Sequence, residues 1–296
     1  MRRRGRRQGS TNCYGIKARP ADDCGKRIEG LAVRTCASND ATMTDDDIQL
    51  AQRLADAAGA AIRPFFRASY TTEIKGDASP VTEADRAAEA AIRAILEAER
   101  PGDGIIGEEY GIVREGASRR WVLDPIDGTR SFITGRPIFG TLIALIEETT
   151  PVLGIIDQPI SRERWLGAAG QGTTFNGLRC RTRPCSELGE AHVGTTSPGL
   201  FDPDDKERFE AVATACSNTV WGGDCYSYAM VALGQLDIVI ESGLKLYDFA
   251  ALVPVVEGAG GRMCDWRGNP LGSNSEGHVI AAGDPALISA ILERLG

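Results

Sequence analysis

The segment Trp121-Val-Leu-Asp-Pro-Ile-Asp-Gly-Thr-Arg-Ser-Phe132 constrains this chain more than any other stretch. An apolar run brings a carboxylate, Asp124, out of what reads as a buried strand and into a tight bend containing Pro125. A second carboxylate, Asp127, stands three residues on, and Gly128 and Thr129 follow at what reads as a helix start. Buried carboxylates are costly unless cations offset them. Backbone N–H groups at a helix start attract anions. A fold that satisfies this segment therefore has a place where a hard cation and a phosphate meet, with the Ile126 carbonyl as a further oxygen ligand.

Taken alone, Asp-Pro in a bend is ordinary turn chemistry, so the rest of the chain has to decide. Glu108 and Glu109 follow Ile105-Ile106-Gly107, and alone they read as a solvated acidic turn. Asp248 heads a later helical stretch, where an acid is often only a cap. Asp85 reads by default as a surface acid, and Lys75 as a loop lysine. Phosphatases with an aspartyl nucleophile carry acids two apart in Asp-x-Asp-x-Thr, and the spacing of three excludes that class. From residue 43 onward neither a Cys-x5-Arg phosphate loop nor a Gly-x-Ser-x-Gly elbow occurs. With no evident protein nucleophile, metal-activated water is the natural agent.

The net charge of −8 hides an asymmetry: residues 1–42 carry ten Lys/Arg and four Asp/Glu, the remainder 23 and 37. An acidic body argues against a nucleic-acid groove and suits a protein that collects divalent cations. The basic start, Arg2-Arg3-Arg4-Gly5-Arg6-Arg7, has no apolar stretch after it and so is no secretory signal. Without sustained periodicity, residues 1–42 read as a disordered extension, with a nucleic-acid arm as the alternative. Met43 before Thr44-Asp45-Asp46-Asp47 reads as the native initiator. No run of about 18 apolar residues exists, so no membrane partner is expected. Of eight cysteines, three lie before residue 43 and the other five form no Cys-x-x-Cys pair, which predicts reduced thiols and a cytoplasmic location. Two histidines give little basis for zinc.

Periodicity predicts helices over 44–67 and 82–100, then short strands over 120–123, 139–146, 152–156 and 164–168, an α+β half spanning 43–186 with an antiparallel sheet. Past residue 187 strand and helix alternate: strands near 191–195, 219–221, 236–240 and 279–281, helices over 204–216, 225–233, 247–259 and 285–295. That pattern predicts a mainly parallel α/β half over 187–296.

Four motifs in order, Val81-Thr-Glu-Ala-Asp85, Gly107-Glu-Glu109, Asp124-Pro-Ile-Asp-Gly-Thr129 and Tyr247-Asp-Phe-Ala-Ala251 running to Gly260-Gly261, resemble those of the inositol monophosphatase family from about Met43 to Gly296. The resemblance implies an α/β layered αβαβα sandwich, hydrolysis of a small phosphomonoester, two or three Mg²⁺ ions and a homodimer. It implies metal ligands Glu108, Asp124, Ile126 through its carbonyl, Asp127 and Asp248, with Gly128 and Thr129 at the phosphate. Thr129 and Glu108 would orient and deprotonate the water, Asp85 would act near a weakly held metal, Lys75 would approach from a loop, and Glu241 would meet the organic part. Tyr247 departs from the family's usual Trp and can fill the same packing role. Asp127-Gly-Thr-Arg-Ser-Phe-Ile133, Ile156-Asp-Gln-Pro159 with Arg162-Glu-Arg-Trp165, and Gly222-Gly-Asp-Cys-Tyr226 look most like the histidinol-phosphatase branch. A cationic alcohol would suit nearby acids, for which Asp224 and Glu241 are the candidates, with a helix N-cap as the other reading of Asp224. The expected reaction is therefore hydrolysis of L-histidinol phosphate in histidine biosynthesis. The alternatives are an inositol or broader sugar phosphatase and, in another class, a non-catalytic binding protein on this fold.

Overall fold

The structure is a computed structural model that describes residues 43–69, 71–74 and 80–296. The expected extension over 1–42 and Lys75 lie outside the described residues. In chain order the first half runs α1 (Asp45–Ile62), β1 (Thr72–Ile74), β2 (Pro80–Thr82), α2 (Glu83–Glu99), β3 (Gly104–Gly107), β4 (Gly111–Val113), β5 (Arg119–Asp127), α3 (Thr129–Ile133), β6 (Gly140–Glu147), β7 (Thr150–Gln158), β8 (Glu163–Ala168), β9 (Gly172–Phe175) and β10 (Leu178–Arg179). It continues with β11 (His192–Thr195), α4 (Pro203–Ala213), β12 (Asn218–Trp221), α5 (Asp224–Ala232), β13 (Ile238–Glu241), α6 (Leu246–Phe249), α7 (Leu252–Gly258), β14 (Arg262–Cys264), β15 (Val279–Ala282) and α8 (Leu287–Leu295).

Both long N-terminal helices start on capping boxes, Thr44 with Asp47 and Thr82 with Asp85, so each spends a threonine and an acid on the orphan amides of its first turn. Behind them lies a sheet of strand order β10-β9-β8-β7-β6-β5-β3-β4. It is antiparallel except that β3 and β5 run parallel, because β4 pairs antiparallel on the outer edge of β3 and the chain then returns to the other side of β3. Alternation along these strands sorts side chains to two faces. Trp121, Leu123, Ile143, Leu145, Leu153 and Ile155 pack against α1 and α2. Their neighbours Val122, Leu142, Ala144, Ile146 and Ile156 face a second core shared with α5, α7 and the smaller sheet.

The smaller sheet has the order β12-β11-β13-β15-β14. Its outer face, with Val193, Ile238, Ile240 and Ile280, is covered by Phe209 and Val212 of α4 and by Leu287 and Ile291 of α8. The layers therefore read helix, sheet, helix, sheet, helix, an αβαβα sandwich of α/β class.

Three details differ from the alternation read in the sequence. The smaller sheet is mixed: β11 pairs parallel with β12 and β13, but β15 inserts antiparallel between β13 and β14. The strand Arg262–Cys264 was not legible, because three residues carry no usable alternation. The helix expected over 247–259 breaks at Ala250-Ala251 into α6 and α7. Pro254 accounts for this: it has no N–H for the carbonyl four residues back, and its ring crowds that carbonyl.

Candidate active site

In a regular strand, residues three apart point to opposite faces, so Asp124 and Asp127 would diverge. They do not, because β5 bulges between them: Asp124 pairs with Leu142 and Asp127 with Gly140, three steps on β5 against two on β6. The Thr141 hydroxyl donates to the Pro125 carbonyl (2.8 Å) and holds the bulge in place. Asp124 is buried, and its Oδ1 accepts the Ile126 N–H at 3.0 Å. The Oδ2 of Asp127 accepts the N–H of Cys225 in the first turn of α5, at 2.5 Å. Asp248 arrives from the other side, on α6, where its Oδ2 accepts the Lys245 N–H at 2.6 Å. One carboxylate oxygen from each of Asp124, Asp127 and Asp248 lies within 4.8 Å of the others.

Glu108 stands in the turn after β3, where its N–H donates to Leu123 of the neighbouring β5 at 3.2 Å. Its negative charge helps to raise the pKa of Asp124, Asp85 and Asp248. Asp85 belongs to the interior rather than the surface, with no exposed area. Its Oδ2 accepts from the backbone and hydroxyl of Thr82 at 2.9 and 2.5 Å, whereas its Oδ1 is buried without a protein hydrogen-bond partner.

Burial is the largest influence on Asp124 and holds its carboxyl well above the usual range; Glu108, Asp127 and Asp248 push the same way. Burial likewise raises Asp127, reinforced by Asp224 and Asp248. Asp248 is raised to about 7, chiefly by burial, with Glu108 and Glu241 adding to the push and the Lys245 N–H opposing it. Acids crowded this way resist ionising together unless a cation joins them. The carboxylate oxygens of Asp124, Asp127 and Asp248 form a set of hard donors, which fits Mg²⁺.

Gly128 has φ of 86°, and a Cβ there would fall 2.6 Å from Asp224 Oδ2, so only glycine lets the chain turn from β5 into the short α3 beside α5. The Thr129 hydroxyl donates to the Ile126 carbonyl at 3.1 Å, leaving that oxygen a second lone pair. Asp224 is not the cap of α5; Gly223 holds that position, and Asp224 Oδ2 instead accepts from the Ser131 hydroxyl at 2.9 Å. Glu241 is buried and already bonded: Oε1 accepts the Thr196 N–H at 2.8 Å and Oε2 the Tyr228 hydroxyl at 2.9 Å. Both acids still line, with Asp127, Asp248, Leu200 and Phe201, a cavity of about 160 Å³.

Several residues escaped the sequence reading. Ser131, Thr196 and Tyr228, which hold Asp224 and Glu241, carry no local signal, because their partners lie 13 to 93 residues away. Glu89 did leave a trace, as an acid one turn after Asp85 on the apolar side of α2, between Ala88 and Ile92. The cysteines Cys180, Cys185, Cys216, Cys225 and Cys264 are free thiols. Among the described residues no helix is long and apolar enough to cross a membrane.

The model of the inositol monophosphatase family matches residues 43–295. "Bifunctional phosphatase IMPL2, chloroplastic" of Arabidopsis thaliana is 48% identical over 82% of this chain and 72% of its own length. A histidinol-phosphatase of Mycobacterium tuberculosis is 39% identical over 75% of this chain and 88% of its own. A solved structure described as an inositol monophosphatase from Zymomonas mobilis is 57% identical, superposes with a TM-score of 0.80, and is matched over 86% of this chain and 99% of that one.

Proposed function

This chain belongs to the inositol monophosphatase family, and from that premise we propose that it hydrolyses L-histidinol phosphate to L-histidinol and phosphate, a step of histidine biosynthesis. Members of the family are phosphatases, and the chain is a phosphatase. The observation that carries the narrower reading is the company kept by the cluster. Asp224 and Glu241 add two carboxylates to the cavity that Asp127 and Asp248 line. Further negative charge beside an acidic metal site is costly unless the substrate brings positive charge. The amine of histidinol phosphate does so, and the hydroxyls of an inositol ring do not.

In this reading Glu108, Asp124, the Ile126 carbonyl, Asp127 and Asp248 would hold two or three Mg²⁺ ions, and Asp85 would act near the most weakly held one. Bound Mg²⁺ supplies the positive charge that offsets the phosphate dianion and makes its bound water a nucleophile near neutral pH. The protein's own groups do the rest. The amides of Gly128 and Thr129 receive the phosphate, and the Thr129 hydroxyl, anchored on Ile126, orients the water. Glu108 accepts its proton. Glu241 is held rigid by Thr196 and Tyr228, so it meets the organic part without rearranging.

A second reading, inositol monophosphate as substrate, has its own support in the similarity to the Zymomonas structure. The test is a panel of kcat/KM values with Mg²⁺ for L-histidinol phosphate, inositol 1-phosphate and fructose 1,6-bisphosphate. The proposal expects histidinol phosphate to lead by at least about tenfold, roughly 1.4 kcal/mol of transition-state preference. A lead for inositol 1-phosphate would replace it with the second reading, and no phosphate release from any member would favour a binding role.

A further inference from the structure

We propose that Glu89 is a positioning residue for the Glu108 carboxylate, and that α2 sets the metal affinity of the site through it. The inference rests on the functional reading above, in which Glu108 faces the metal.

Glu89 has no exposed area, although it is a carboxylate on the interior face of a helix. Such a group persists only when it is fully engaged, and its engagements all point one way. Its Oε2 accepts the Glu109 N–H at 2.7 Å, and its Oε1 accepts the Tyr110 N–H at 3.2 Å. The Nε of Arg93, one turn along α2, donates to Oε1 at 2.7 Å and supplies the balancing charge. The two amides that Glu89 grips are those that follow Glu108. The amide of Glu108 itself is fixed on Leu123 of β5, the residue before Asp124. Three consecutive N–H groups of the turn are thus pinned, one to the metal-bearing strand and two to one buried carboxylate.

Gly107 completes the interlock. A Cβ at that position would lie 1.9 Å from Glu89 Oε1, so the turn can close over the carboxylate only because residue 107 has none. Asp85 and Glu89 stand four apart, neighbours on one face of a helix. The first is a buried acid whose pKa the charge of Glu108 helps to raise, and the second holds the turn that carries Glu108. The helix therefore fixes the distance between these two site acids. Glu89 spends its oxygens on three donors and acts through Glu108.

Partners that orient metal ligands from behind typically change metal affinity or activity by about 10- to 100-fold when removed. Glu89→Gln keeps the shape but replaces one acceptor oxygen by an N–H₂ group, so one turn amide loses its acceptor. Gly107→Ala keeps the charge and displaces the carboxylate. Three quantities are read on the full chain: Mn²⁺ binding by electron paramagnetic resonance, the rise of Tm with Mg²⁺, and phosphate release as Mg²⁺ is titrated. The expected result in both variants is a folded protein whose metal-free Tm is lowered by several degrees, as the loss of one buried contact requires, and half-saturating metal raised about 10- to 100-fold in all three readouts, with kcat restored at saturating Mg²⁺. A half-saturating concentration unchanged in a folded variant would overturn the proposal. So would a kcat loss that saturating Mg²⁺ does not restore, or failure of both variants to fold, which would make Glu89 a residue of the fold alone. If the wild type itself binds no metal, the functional reading falls first and this inference with it; wild-type binding with unshifted variants removes only the inference.

Discussion

Asp127 and Asp224 make the clearest cases for argument at the scale of single residues. Asp127 bridges the bulged strand and the first turn of α5, and it carries a charge that its surroundings resist. Asp127→Asn keeps an oxygen for the Cys225 N–H and removes that charge. We expect turnover to fall by about a thousandfold or more, about 4 kcal/mol of barrier, while the metal-free Tm holds or rises because the repulsion is relieved. Activity within threefold of wild type would contradict the role of Asp127. Asp224→Asn separates substrate choice from architecture. It should lower kcat/KM for histidinol phosphate by the worth of one charge-assisted contact, about 1.5–3 kcal/mol, and leave that for inositol 1-phosphate nearly unchanged. Equal losses would make Asp224 a support for Ser131 and Gly128. Asp124, Asp127 and Asp248 were legible in the sequence because apolar runs and a helix start frame them. Glu241 was legible as an acid at a strand end, but not its bonds to Thr196 and Tyr228, since nothing local announces a partner so far along the chain. Asp85 read as a surface acid until burial reversed it.

At the scale of elements, the site depends on one irregularity and one helix break. The β5 bulge turns two diverging carboxylates toward one point, and the Thr141–Pro125 hydrogen bond spans it in a buried setting. Thr141→Val preserves shape and leaves the Pro125 carbonyl without that donor, so unfolding stability should drop by about 1–3 kcal/mol. Urea unfolding checks this; a change below about 0.5 kcal/mol would show that the bulge holds by other means. Pro125 hinted at a bend, but which residue would be the extra one depends on the pairing with β6, which the sequence of β5 alone does not contain. The long helices and the meander from β6 to β8 were readable from their periods. The short strands β3, β4 and β14 were not, because three or four residues set no period. The split between α6 and α7 was missed, although Pro254 marks it, and it leaves Asp248 in a short helix of its own.

For the whole molecule, three cores separated by two sheets make a rigid frame, and the frame stores electrostatic repulsion at the site. Asp248 titrates near 7, and Asp124 and Asp127 lie well above the ordinary carboxylate range, so the folded protein holds protons that the unfolded chain has released. Stability of the metal-free protein should therefore fall as pH rises from about 4 to about 7, the window between the unfolded and folded values of Asp248, with Asp124 and Asp127 acting in the same direction. In the proposed reading Mg²⁺ binds the deprotonated cluster, so it should raise Tm more at pH 8 than at pH 5; an equal rise at both would contradict the raised values. The sandwich itself followed from the motif resemblance more than from periodicity, since strand and helix order alone left the smaller sheet parallel. The central claim is that this carboxylate cluster is a Mg²⁺ site at which phosphomonoesters are cleaved. The most direct test strips the full chain with a chelator and follows phosphate release from L-histidinol phosphate as Mg²⁺ is returned. The account predicts no turnover without metal, full recovery on titration, and a loss of at least about a thousandfold at every Mg²⁺ concentration for Asp127→Asn. Metal-independent release by the wild type, or full activity of the variant, would contradict it.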